Sequence, residues 1–183
     1  MSLYFNGPYA SHHLIGTEID TQHGKATITE FYDKREVWIK FHNTGYETTT
    51  TIYRVNAGTA SDPTHPTVCG VGFMGEGEYN SATHEREYHM WNNMIRRCYQ
   101  VANRPKEFKS YEGVTVATDW HNFQNFCEDI QWLIGYDDWL ENEERYEIDK
   151  DLMCAALKLP KKVYSKETCC FLTASENSSI ARK

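Results

Sequence analysis

Val37-Trp38-Ile39-Lys40-Phe41 is the stretch on which the fold turns. Val37, Ile39 and Phe41 alternate with Trp38 and Lys40, the period-two mark of a strand with one buried face. Ala26-Thr27-Ile28-Thr29 precedes it, with Asp33-Lys34 between as a turn. A largely β-branched run from Thr48 to Val55 follows the Asn43-Thr44-Gly45 turn. Three strands joined this way predict a small antiparallel sheet. Residues 1–24 carry Gly7-Pro8, His12-His13 and Gly16 with little periodicity, and read as an irregular arm.

Downstream the character changes. Residues 56–80 are rich in glycine and proline and read as a connector, closing a β-rich module over 25–80. Gly70-Val71-Gly72-Phe73-Met74-Gly75 matches the dinucleotide fingerprint in letters. Pro63 and Pro66 precede it, and a fourth glycine and a polar stretch follow. That motif needs a buried strand before it and a helix opening at its third glycine, so dinucleotide binding is not expected. From Tyr88, the residues Trp91, Met94, Ile95, Cys98 and Tyr99 follow helical spacing. Thr118-Asp119 reads as an N-cap pair for a second stripe, Trp120, Phe123, Phe126, Cys127, Ile130 and Leu133 or Ile134, with Gly135 ending it. Val114 to Val116, Tyr146 to Ile148, Lys162 to Ser165 and Cys169 to Leu172 read as short extended pieces. Thr173 and Glu176 have capping-box spacing for a last helix reaching Arg182. The expected fold is α+β: a small antiparallel β-rich N-terminal module, then a largely helical domain over 81–183.

The chain of 183 residues carries a formal charge of −7, unevenly distributed. Residues 86–109 hold six bases against Glu87 and Glu107, and residues 158–183 hold six against Glu167 and Glu176. Between them, residues 112–151 hold twelve acids against Arg145 and Lys150. Two basic windows around an acidic one suit a nucleic-acid footprint flanking carboxylates that hold a metal; the plain alternative is a set of solvated faces. No apolar run is long enough to span a membrane. Residues 1–16 show no basic segment leading into an apolar one, so the expected compartment is the cytoplasm. The six cysteines form no C-x-x-C pair, and the adjacent Cys169 and Cys170 would point to opposite faces of a strand. Buried structural thiols are the expectation.

Trp91-Asn92-Asn93-Met94-Ile95-Arg96-Arg97-Cys98-Tyr99, Val114-Thr115-Val116 and the Trp120, Phe123, Phe126 spacing make one half of a pattern. Ile148-Asp149-Lys150-Asp151, Val163-Tyr164-Ser165, Glu167-Thr168-Cys169-Cys170-Phe171 and Asn177 make the other. Together they resemble bacteriophage proteins described as HNH endonuclease-like or homing-endonuclease-like. Gly45-Tyr46, Gly58-Thr59-Ala60, Asp62-Pro63, Pro66-Thr67-Val68 and Gly70-Val71-Gly72 are similar to the amino-terminal region of those proteins.

The resemblance implies an HNH-like ββα-metal-type domain binding one divalent ion, Mg²⁺ or a similar cation. Asp149 stands at the metal-binding aspartate and Asn177 at the helix ligand. Lys150 occupies the position of the usual histidine base, and Thr168 that of the usual loop asparagine. Lys150 suits phosphate contact better than proton abstraction, because its reference pKa is near 10.4. Asp149, Lys150 and Asp151 are therefore the candidate catalytic group, and Asp149 with Asn177 the candidate metal ligands. A base from His84, His89 or His121 is a further option. Arg96, Arg97, Lys161, Lys162 and Lys166 are the candidate DNA-backbone contacts, with Lys34, Lys40 and Arg54 available in the sheet. The implied function is DNA binding with divalent-metal-dependent cleavage of double-stranded DNA in the cytoplasm of an infected bacterium. The alternative is a catalytically inactive acidic derivative that binds a host protein and inhibits host defence; an inert relic is the third option. A homodimer is compatible with each.

Overall fold

A computed structural model describes residues 13–142 and 146–180. The chain divides into two compact units, residues 1–65 and 66–183. Both mix α and β structure, and among the described residues no helix is long and apolar enough to cross a membrane.

The first unit is an antiparallel meander. Strands β1 (Glu18–Thr21), β2 (Gly24–Phe31), β3 (Val37–Phe41) and β4 (Glu47–Thr50) lie in sequence order. In β3, Val37, Ile39 and Phe41 are buried and opposed to β2 through pairs such as Ile28 with Ile39, so the alternation in the sequence becomes one face of the sheet. β1 falls within the stretch read as an irregular arm. Ile19 is its one apolar residue, too little to register as a pattern. The run Thr48 to Val55 is not one strand. Thr51 turns its hydroxyl to accept from Arg54 N–H and caps helix α1 (Ile52–Ala57), which drops Ile52 and Val55 onto the sheet. Gly58 ends α1 with a left-handed φ of 67°, its N–H bonded to the last turn.

The second unit is built around helix α2 (Glu85–Tyr99), whose Trp91, Met94 and Ile95 are fully buried. Trp91 Nε1–H donates to the carbonyl of Trp120 at 2.8 Å. Its core gathers Trp120, Phe123, Phe126, Ile130, Trp139, Tyr164 and Phe171. The second stripe is broken where one helix was expected. Thr118–His121 forms a 3-10 turn, and Asn122, not Thr118 or Asp119, caps helix α3 (Phe123–Ile130) by accepting from Gln124 N–H. Gly135 begins rather than ends a helix: it precedes α4 (Tyr136–Glu141) at φ 83°, with the Phe171 carbonyl 2.6 Å from where a Cβ would stand.

The glycine-rich stretch belongs largely to this unit. Val68, Val71, Met74 and Tyr79 pack on its core, and the Gln124 amide binds the backbone of Met74 and Tyr79. The two compact units divide between His65 and Pro66, within the stretch read as a connector. Strand β5 (Thr115–Val116) pairs in parallel with β7 (Val163–Tyr164), and β6 (Tyr146–Asp149) pairs antiparallel with β8 (Cys170–Thr173). Helix α5 (Asp151–Ala156) fills the excursion after β6. Helix α6 (Ala174–Ile180) follows β8 directly and packs on both β8 and β6. Thr173 and Glu176 close the expected capping box, each side chain bonding the other's backbone N–H. The stretch of that helix expected beyond Ile180 lies outside the described residues.

Candidate functional site

Strand β6 passes Ile148 into the core and leaves Asp149, Lys150 and Asp151 at the rim of a cavity of about 630 Å³. Asn177 enters its lining from α6, Arg97 from α2, Lys162 from the segment before β7, and Tyr111 from a 3-10 segment, Lys106–Tyr111. Six of the nine candidate residues thus meet in one place. Arg96, Lys161 and Lys166 do not line it. Arg96 Nε donates to Gln100 Oε1, Lys166 sits 3.7 Å from Asp129, and Lys161 is exposed. In the first unit, Lys40 pairs with Glu47 at 2.7 Å.

Asp149 is 3% exposed, and its Oδ2 accepts from Leu152 N–H at 2.9 Å, capping the start of α5. Asn177 Nδ2 donates to Glu147 Oε2 at 2.7 Å. A carboxylate only accepts, so this bond turns the amide nitrogen toward Glu147 and the carbonyl oxygen away from it. Glu147 and Asp149 are two apart on one strand and so share a face.

Lys150, only 5% exposed, is held on three sides. Its Nζ donates to Asp151 Oδ1 at 2.9 Å and lies 5.0 Å from the Tyr111 ring and 4.8 Å from the Tyr164 ring. Lys162 Nζ reaches the same Asp151 oxygen at 3.0 Å. Burial raises the Asp151 pKa, but the hydrogen bonds and charges of Lys150 and Lys162 outweigh it and hold the carboxyl below its ordinary value. Arg97 lies over the Tyr111 ring at 5.7 Å. Burial pushes the Tyr164 hydroxyl far up, so that ring acts as a neutral wall.

None of the three histidines considered as a base lines this cavity. His84 Nδ1 bonds Thr83 Oγ1, His89 lies beside Glu85, and His121 contacts the Tyr99 hydroxyl. Thr168 closes its own loop instead, its hydroxyl donating to the Val163 carbonyl at 2.6 Å and accepting from Ser165 N–H. Cys127, Cys154, Cys169 and Cys170 are buried and form no disulfide, and burial pushes Cys127 and Cys169 well up, as expected of structural thiols. Cys98 is half-buried and Cys69 is exposed, against that expectation.

Among the described residues no three His, Cys, Asp or Glu side chains cluster as a metal site. Among the described residues, the hard donors of the cavity not already held by a lysine include the Asp149 carboxylate and the Asn177 carbonyl oxygen. The Asp151 carboxylate also lines it but is shared by Lys150 and Lys162. Two such oxygens suit an ion like Mg²⁺, which keeps several waters and takes further ligands from a phosphate. They do not suit a closed zinc cage. Sequence reasoning missed Glu147, Tyr111 and Tyr164. For Glu147 the signal was present, since a residue two before Asp149 on a strand must share its face. For Tyr111 there was none, because it arrives from a distant irregular segment. Comparisons with protein-family models, with curated proteins and with solved structures find no match to this chain.

Proposed function

We propose that this chain is a phage-encoded DNA-binding protein on an HNH-like endonuclease scaffold, which cuts double-stranded DNA with a divalent cation such as Mg²⁺ in the cytoplasm of its bacterial host. One observation carries the reading: Asp149, from the strand β6, and Asn177, from the helix α6, line a single cavity together with Arg97 and Lys162. Two antiparallel strands followed by a helix packed on both supply the frame. Asp149 and the Asn177 carbonyl would hold the cation, which supplies charge stabilisation to a phosphodiester when bound. Arg97 and Lys162 would receive the phosphate, Glu147 orients Asn177, and the Lys150–Asp151 pair stiffens the cavity wall.

The test is plasmid retention and nicking with Mg²⁺ or Mn²⁺, comparing wild type with Asp149→Asn. Asparagine keeps an oxygen for Leu152 N–H, so the fold is retained while the anionic ligand is lost. Wild type is expected to retain DNA in a salt-sensitive way and to nick it; Asp149→Asn is expected to retain DNA without nicking. Equal nicking by both removes Asp149 from the mechanism, and no DNA retention removes the reading.

A second reading, binding of a host defence protein, draws on a different surface. Trp132 and Ile134 are 89% and 77% exposed, close in sequence to Asp137 and Asp138. Exposed tryptophan is a common interface anchor. Capture of a host protein by a chain without DNA affinity, abolished by Trp132→Ala, would favour this reading over the first.

A further inference from the structure

The 3-10 segment Lys106–Tyr111 stands between two cavities. Tyr111 lines the one that holds Asp149, whereas Lys106 and Lys109 line a second, of about 760 Å³. Three residues per turn explain the division: in a 3-10 helix, side chains at i and i+3 eclipse, so Lys106 and Lys109 stand one above the other on a single edge. Helix α2 is shared in the same way, with Arg97 on the first cavity and Cys98 on the second.

The second cavity is cationic and its cations are uncompensated. Lys106 and Lys109 make no side-chain hydrogen bond or ion pair among the described residues. Arg104 joins them, its guanidinium held by the carbonyls of Gln100 at 2.9 Å, Arg97 at 3.1 Å and Phe108 at 2.9 Å. The first two bonds satisfy acceptors at the end of α2, the third ties in the 3-10 segment, and all leave the charge in place. Among the described residues Glu112 is the only acid in the lining. By contrast, Lys162 and Lys150 in the first cavity already share Asp151. Among the described residues Arg97, over the Tyr111 ring, is the first cavity's cation without an anionic partner, and Lys106 and Lys109 add two more on the far side of the 3-10 segment.

The remaining wall is apolar: Val101, 87% exposed, and Pro105. A bare anion gains nothing from such a wall. A sugar–phosphate chain uses both halves, setting its sugars against Val101 and Pro105 and its phosphates on the lysines. We infer that this second cavity is a station for the nucleic-acid backbone, receiving the strand as it leaves the Asp149 cavity over the 3-10 segment. The inference rests on the DNA reading above and extends its footprint to Lys106 and Lys109.

Fluorescence anisotropy of a labelled duplex across a sodium chloride series tests it with the full chain in EDTA, where cleavage does not interfere. Each phosphate that a variant no longer neutralises lowers the slope of log affinity against log salt by about 0.9. Lys106→Ala with Lys109→Ala is expected to make the slope shallower by about two and to weaken binding equally for unrelated sequences. Lys106→Arg with Lys109→Arg should keep the wild-type slope. Glu112→Gln should tighten binding. A wild type that binds with a steep slope and a double-alanine variant with the same slope overturns the station and leaves the DNA reading standing. Displacement of the duplex by polyglutamate as readily as by an unlabelled duplex of equal charge also overturns it. A wild type that binds no duplex fails the DNA reading and the station with it.

Discussion

Each unit buries an aspartate, and the two are used in opposite ways. Asp62, 2% exposed in the first unit, is saturated: Oδ1 accepts from Thr64 N–H and Oγ1, and Oδ2 accepts from Thr44 Oγ1. Asp149, 3% exposed in the second, accepts one hydrogen bond among the described residues, from Leu152 N–H, and lines a cavity with two lysines, an arginine and an asparagine. A buried carboxylate with three donors is a fastener, because its desolvation is offset in full by the fold. One with a single donor, at the edge of a charged cavity, keeps capacity for a ligand. That contrast favours the second unit as the seat of the proposed chemistry more firmly than net charge does.

The largest effect is expected at Asp62. Asp62→Ala strands three donors, and urea denaturation should show a loss of about 3 kcal/mol; a loss below about 0.5 kcal/mol would deny it the fastener role. Next is Lys150→Met, which keeps the volume between Tyr111 and Tyr164 but leaves Asp151 with Lys162 alone. A loss of about 1–2 kcal/mol at neutral pH is expected. Because Asp151 is held below its ordinary value of 3.8, its contribution is fully present above that pH and is lost as pH falls further. Acid titration of Lys150→Met should therefore be flatter than wild type in that range. Asp149→Ala should cost about 1 kcal/mol through the lost α5 cap, and Asp149→Asn less than half of that, measured as urea midpoints.

The smallest effect belongs to His23, whose Nδ1 accepts from Asp62 N–H at 2.9 Å while its ring stacks on His65 at 4.8 Å. Burial and His65 outweigh the pull of Asp62 and hold the imidazole below its ordinary 6.5. The folded first unit thus binds fewer protons than the unfolded chain just below that pH, and its stability should decline on acidification from there. His23→Gln should remove this decline. The two units then lose stability in separate pH windows, the first unit well before the second.

What was legible in the sequence was local. The alternation of Val37, Ile39 and Phe41, the stripe of Trp91, Met94 and Ile95, and the Thr173–Glu176 box each carry their cause within a few residues. β1 has one apolar side chain, and α1, α4 and α5 are six residues long, too short for helical periodicity to register. Thr51 misled because a β-branched residue favours strand until its hydroxyl finds a backbone N–H. At the site, Asp149, Asn177, Arg97 and Lys162 were readable as residue types. The tyrosine walls around Lys150 were not, since Tyr111 and Tyr164 meet only through the pairing of β5 with β7, two residues each and far apart in sequence. Lys106 and Lys109 were hidden for a related reason: their common edge depends on a 3-10 geometry that no apolar pattern announces.

Most direct for the central claim is Mn²⁺ binding to the full chain in the presence of a short duplex, followed by water-proton relaxation. Wild type is expected to bind one tight equivalent, Asp149→Asn and Asn177→Leu to lose it, and Glu147→Gln to show an intermediate affinity, because the amide of Asn177 is no longer held one way round. Identical Mn²⁺ titrations for wild type and all three variants would contradict that claim.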